Sequence, residues 1–144
     1  MPKRKADARW EGSLEEGQGT MRVASGAYEG PYSFQSRFEE GDGTNPEELI
    51  AGAHAGCFSM QFSADLGRAG YEPVSVETTA TVHLDKLEAG GFGITRIDLD
   101  TRGSVSGIDA EEFQRIAEGS KQNCPVSRAL AAVETVNVNA ELAG

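Results

Sequence analysis

Thr44-Asn45-Pro46-Glu47-Glu48-Leu49-Ile50-Ala51-Gly52-Ala53-His54-Ala55-Gly56-Cys57-Phe58-Ser59-Met60 starts a helix and places a thiol on it. Asn45 is a strong N-cap residue, Pro46 suits the first helical position, and Glu48 falls three residues after the cap, the spacing of a capping box. The helix continues to about Arg68, with Gly70 just beyond to stop it. Ala51, Gly52, Ala53, Ala55, Gly56, Ser59, Ser63 and Ala64 make it rich in small side chains, which let other backbones come close. These features predict a buried central helix.

On the N-terminal side, Arg9-Trp10-Glu11, Met21-Arg22-Val23-Ala24 and Tyr32-Ser33-Phe34-Gln35-Ser36-Arg37-Phe38 are short segments separated by glycine-containing turns. They predict a three-stranded antiparallel meander. In the last segment Tyr32, Phe34, Ser36 and Phe38 would share one face and Arg37 the other. On the C-terminal side, Val74, Val76, Thr78, Ala80, Val82 and Leu84 alternate as one face of a strand. Its hairpin partner is Phe92 to Arg102, across the turn Glu88-Ala89-Gly90-Gly91. Asp109 then caps an amphipathic helix from Ala110 to Lys121, with Phe113, Ile116 and Ala117 as its apolar stripe. A short helix opens at Asn123-Cys124-Pro125 and runs to about Ala132, and Val133 to Ala140 is a final strand. Strands and helices do not alternate regularly, so the predicted class is α+β with a mainly antiparallel sheet around the central helix, in one domain spanning residues 1–144.

Composition narrows the function. The chain has 144 residues, 38% of them hydrophobic, enough for one core. Its 23 acidic against 13 basic residues give a net charge of −10, which argues against nucleic acid and anionic membranes as partners. No apolar run of about 18 residues is present, and the basic start Met1-Pro2-Lys3-Arg4-Lys5 lacks the apolar segment of a signal peptide, so a cytoplasmic location is expected. Two cysteines and two histidines would all be needed for one soft metal site, and no Cys-x-x-Cys pair occurs, so no metal is expected. In a reducing cytosol, Cys57 and Cys124 are then either inert buried thiols or a redox couple.

Cys57 follows Gly56, which leaves room for a reactant, although a small buried apolar role fits it equally. Cys124 lies at the mouth of the short helix, where free backbone N–H groups favour a thiolate. An attacking thiol needs a cation to ionise near neutral pH. Arg37 is the most suggestive source, with Lys121 an alternative and an exposed strand arginine the plain reading. Glu47 suits a bidentate partner for an arginine, and equally a first-turn acid that offsets the helix dipole. His54, three residues before Cys57, leaves a Cys57/His54 hydrolase or acyltransferase as the competing arrangement, though packing within the helix explains it too.

The run Gly43 to Met60, together with Asn123-Cys124-Pro125-Val126-Ser127, resembles the osmotically inducible / organic hydroperoxide resistance (OsmC/Ohr) family of thiol-dependent peroxidases. The Asn45-Pro46-Glu47-Glu48 and Ala53-His54-Ala55-Gly56-Cys57 runs are more similar to its OsmC branch. The resemblance implies an intertwined homodimer that prefers organic hydroperoxides, with hydrogen peroxide a further substrate, and is reset by a small dithiol or a dithiol protein, without metal or flavin. It implies Cys57 as the peroxidatic cysteine, Cys124 as the resolving one, Arg37 as the catalytic arginine and Glu47 as the glutamate that holds it. Two geometries are then open, because ten residues of unbroken helix would separate Glu47 from Cys57. Either the helix breaks near Gly52 or Gly56, or Arg37 and Glu47 serve the partner chain.

Overall fold

The computed structural model of the chain describes residues 1–143. Its contacts divide into two units, Met1–Leu49 and the chain from Ile50 onward. In the first, β1 (Ala6–Glu11), β2 (Gln18–Val23) and β3 (Glu29–Tyr32) form an antiparallel meander in the order β1-β2-β3. Gly19 sits between Trp10 and Tyr32 in register. A Cβ there would meet Tyr32 at 2.5 Å and Trp10 at 2.7 Å. The two rings, 5.3 Å apart, therefore cover the glycine backbone, and no larger residue fits beneath them.

The meander is as expected, but the third strand stops at Tyr32, and Phe34–Phe38 is a short helix, α1. Ser33 decides this. Its side chain accepts from the backbone N–H of Ser36, and the Ser36 hydroxyl accepts from the backbone N–H of Ser33. Two otherwise orphaned donors are satisfied at once. Phe34 and Phe38, expected on one strand face, instead meet one helical turn apart at 5.0 Å. Two hydrogen bonds tie α1 to the segment that leads into the long helix. The Ser36 hydroxyl donates to the Thr44 carbonyl (2.7 Å), and the Asn45 side-chain amide donates to the Ser36 carbonyl (2.9 Å).

α2 runs without a break over Pro46–Arg68. Asn45 Oδ1 accepts from the Glu48 N–H at 2.7 Å, as a cap should. The Glu48 carboxylate turns instead to the Thr44 hydroxyl (2.7 Å), so the expected box is only half made. At the other end Gly70 takes φ +96°, with bonds from Gly70 N to the Gly67 carbonyl and from Tyr71 N to the Leu66 carbonyl. This is a Schellman stop.

In the second unit, β4 (Pro73–Lys86) and β5 (Phe92–Val105) form the expected hairpin, and β6 (Thr135–Leu142) adds in parallel beside β5. The β-structure is therefore two three-stranded sheets, one wholly antiparallel and one mixed. A register shift between Pro73 and Ser75 takes Val74 out of the alternation, leaving it 80% exposed rather than on the inner face. Parallel pairing requires a crossover, here α3 (Ala110–Asn123) and α4 (Pro125–Ala129). Phe58, Phe62 and Leu66 of α2 close the core with Ile97 and Leu99 of β5, Phe113, Ile116 and Ala117 of α3, and Cys124. Burying each of those large side chains contributes about 1.5–3 kcal/mol. Among the described residues no helix is long and apolar enough to cross a membrane.

Candidate functional site

Cys57 lies on α2 one position before the buried Phe58 and is itself partly accessible, whereas Cys124, the N-cap of α4, is fully buried. Their sulfurs are 2.8 Å apart, with the Cys124 thiol donating to Cys57 Sγ. Both are free thiols. Residues 67 apart in sequence are thus brought into contact by the crossover that delivers α4 to α2.

Their electrostatics differ from expectation. The mouth of α4 acts on Cys57: the backbone N–H of Val126, the second helical residue, favours the Cys57 thiolate. Cys124 makes no side-chain cap bond. The sequence cannot reveal that cross-contact, since the donor and the sulfur are far apart along the chain. Burial first, and then the hydrogen bond to Cys124 and its charge, push the Cys57 thiol up, against the lowering effect of Val126. The surroundings within the second unit favour the neutral thiol. Lys121 does not offset this, because its ammonium is held by the Val136 carbonyl (3.1 Å) and Glu118 (3.3 Å).

His54 sits at the head of the buried stripe His54, Phe58, Phe62 and Leu66, each four residues from the next. Its Nε2 shares a 2.5 Å hydrogen bond with Ser127 Oγ, so the imidazole is committed to α4. Burial lowers its pKa, and Nδ1 has no protein hydrogen-bond partner. Neither ring nitrogen bonds Cys57, so the thiol–imidazole hydrogen bond that a Cys57/His54 hydrolase requires is not formed.

In the first unit, Arg37 of α1 grips Glu47 with two parallel bonds, Nε to Oε1 and Nη2 to Oε2, both 2.9 Å. Glu47 is buried, while the Arg37 side chain keeps 37% of its surface open. Its guanidinium also lies 5.2 Å from the centre of the Phe38 ring. Arg37 is on a helix rather than the expected strand, yet the expected pairing with Glu47 forms, because α1 is pinned to the cap of α2. A cavity of about 190 Å³ opens beside it, lined by Trp10, Leu14, Tyr32, Ser33, Phe34, Arg37 and Phe38. Phe34 lies here, while Phe58 and Phe62 belong to the core and Met60 is exposed. Trp10 and Leu14 come from the distant β1 end, and no local pattern marks them. Larger clefts beside Arg9 and Asp42 and beside Lys3 and Ala24 contain neither thiol. Among the described residues no cluster of three or more His, Cys, Asp or Glu is gathered for a metal ion.

Residues 39–139 match a family model described as OsmC-like protein. The chain is 50% identical over 135 residues to a protein of Escherichia coli K12 named Peroxiredoxin OsmC, covering 93% of this chain and 94% of that one. It is 36% identical over 90 residues to the organic hydroperoxide resistance protein of Xanthomonas axonopodis, covering 62% and 61%. Among solved structures, the organic hydroperoxide resistance protein OhrB of Bacillus subtilis superposes with a TM-score of 0.72 at 26% identity, covering 96% of this chain and 98% of that one.

Proposed function

This chain belongs to the OsmC-like family, and from that membership and its thiol pair we infer that it is a cysteine-based peroxidase that reduces organic hydroperoxides in defence against oxidative stress. The observation that carries this is a partly accessible Cys57 whose sulfur lies 2.8 Å from that of the buried Cys124. Cys57 thiolate attacks the distal peroxide oxygen. An S–O bond forms, the O–O bond breaks, and the departing alkoxide takes up a proton to leave as an alcohol. The resulting sulfenic acid is attacked by the Cys124 sulfur, which forms the disulfide and releases water, before further oxidation to the sulfinic state. A small dithiol restores both thiols by exchange through a mixed disulfide. The cycle is complete with thiols as its redox groups.

Arg37 supplies the positive charge that the Cys57 surroundings lack. Glu47 takes two of the five guanidinium N–H groups and fixes the plane of the fork, leaving donors for the thiolate and the peroxide. The neighbouring aromatic cavity suits the organic half of an alkyl hydroperoxide. Ten residues of unbroken helix rise about 15 Å between Glu47 and Cys57. Of the two geometries left open by the sequence, this favours an arginine that completes the Cys57 site of a partner chain in a homodimer. The whole chain, residues 1–144, then acts as one cytoplasmic peroxidase domain, and its acidity keeps it from nucleic acid and anionic lipid.

Titration of the reduced protein with tert-butyl hydroperoxide tests the function. One equivalent should consume both thiols of a chain and yield one Cys57–Cys124 disulfide, with no turnover in Cys57→Ser. Peroxide consumption that survives in Cys57→Ser, or thiols that resist oxidation, would overturn it.

A further inference from the structure

Besides the Val126 N–H that faces Cys57, two side-chain links join the α2 and α4 segments, and only one of them is a thiol pair. His54 lies three residues before Cys57 on α2, and Ser127 lies three residues after Cys124 on α4. The Cys57–Cys124 contact and the His54–Ser127 hydrogen bond are therefore two links, about one helical turn apart, between the same two elements. We propose that the His54–Ser127 bond is a clamp that holds the α4 mouth against α2 while the sulfurs change oxidation state, making both residues positioning residues for disulfide closure. This rests on the reading of Cys57 as the attacking and Cys124 as the resolving thiol.

The need for a clamp arises from the construction of α4. It has five residues, none of them fully buried, no side-chain cap bond, and a proline at its first position that donates no N–H. Val126 and Leu130 pack against the core only in part. When Cys57 becomes a sulfenic acid, the Cys124 sulfur must displace hydroxide in line, so the α4 mouth has to hold that sulfur opposite the S–O bond and then carry it from 2.8 Å to a bond of about 2.05 Å. A segment held this lightly loses its register unless something else anchors it. His54 is an unusual choice for the stripe it heads. Phe58, Phe62 and Leu66 are apolar, whereas the imidazole is buried with one nitrogen lacking a protein partner, a cost that a leucine would avoid. The single bond it makes is the one to Ser127. Disulfide closure is an intramolecular step whose rate depends on how well the second sulfur is aligned. Initial attack on peroxide depends instead on the Cys57 thiolate and its cation.

The test separates the two steps in the full-length protein. Rapid mixing with tert-butyl hydroperoxide tracks Cys57 oxidation and then disulfide closure, and intact mass measures the sulfinic fraction as peroxide is raised. In Ser127→Ala, first-phase oxidation should stay within about threefold of wild type while closure slows at least tenfold, with sulfinic acid accumulating where wild type gives disulfide. Ser127→Thr, which keeps the hydroxyl, should restore closure, and His54→Leu should behave like Ser127→Ala. The serine variants remove or add little volume at a half-buried position, so they keep the test open if His54→Leu does not fold. Wild-type closure rates and no excess sulfinic acid in Ser127→Ala would overturn the clamp alone. A wild-type protein that forms no Cys57–Cys124 disulfide would overturn the peroxidase reading, and the clamp with it.

Discussion

The fixed charge of Arg37 and the protonation of His54 each make a prediction at a single position. If the guanidinium stabilises the Cys57 thiolate, Arg37→Met should lower peroxidase activity by at least 100-fold, about 3 kcal/mol in barrier, in line with the loss of a preorganised charge donor. The loss should shrink as pH is raised, because burial and Cys124 already push the Cys57 thiol up and only alkali can then ionise it. The pH dependence of iodoacetamide alkylation reads this directly, as an upward move of the inflection. Arg37→Lys should recover little, since an ammonium cannot make the two parallel bonds now given to Glu47. Unchanged turnover in Arg37→Met would remove Arg37 from the site. For His54 the sign runs through acid. Burial holds its folded pKa below the ordinary 6.5, so between those two values the unfolded chain binds a proton that the folded chain does not. That contribution to stability is complete above about pH 6.5 and is lost as pH falls toward the folded pKa. Between pH 7.5 and 5.5 the wild type should therefore lose more Tm than His54→Gln, and an equal loss in both would contradict the linkage.

Among the elements, those legible in the sequence carry a period, a cap or a proline at the helix start. α2 and α3 carry Asn45 and Asp109 at their starts, and β5 and β6 keep their alternation through to the core. α1 is not legible because five residues are too few to distinguish a 3.6-residue period from a 2-residue one. Its cap is a serine–serine exchange rather than the serine–glutamate form. Val74 falls on the wrong face because a register shift leaves no trace in composition. The Cys57–Cys124 pairing and the Arg37–Glu47 grip are legible through the family resemblance, whereas the Val126 contact and the His54–Ser127 bond join elements about 70 residues apart, and no local pattern reports them. One further device exists only in three dimensions. The Gln114 side chain of α3 accepts from the Ala140 N–H (2.8 Å) and donates to the Val138 carbonyl (3.0 Å), covering the edge of β6 that β5 leaves open. Gln114→Leu strands both backbone groups and should cost about 2 kcal/mol in urea unfolding. Arg115→Ala, one residue along on an exposed side chain, should leave the urea midpoint nearly unchanged. Equal effects would show that the edge contacts carry nothing.

For the whole molecule, the arrangement in which Arg37 serves a partner chain can be tested by mixing two dead proteins. Cys57→Ser supplies the arginine and Arg37→Met supplies the thiol. Random exchange at equal amounts makes half of the dimers mixed, each with one competent site, for about a quarter of wild-type activity. No recovery after proven exchange would place each site within a single chain. The span of the thiol pair has a separate consequence, for persistence. A bond between Cys57 and Cys124 closes a loop of 67 residues, nearly half the chain. In the chain-entropy description, such a closure removes freedom from the unfolded ensemble worth about 4 kcal/mol. On the proposed cycle the spent enzyme would then be the tougher form, outlasting the active one under heat or protease. A cell under peroxide stress would keep its exhausted copies folded until a reductant reaches them.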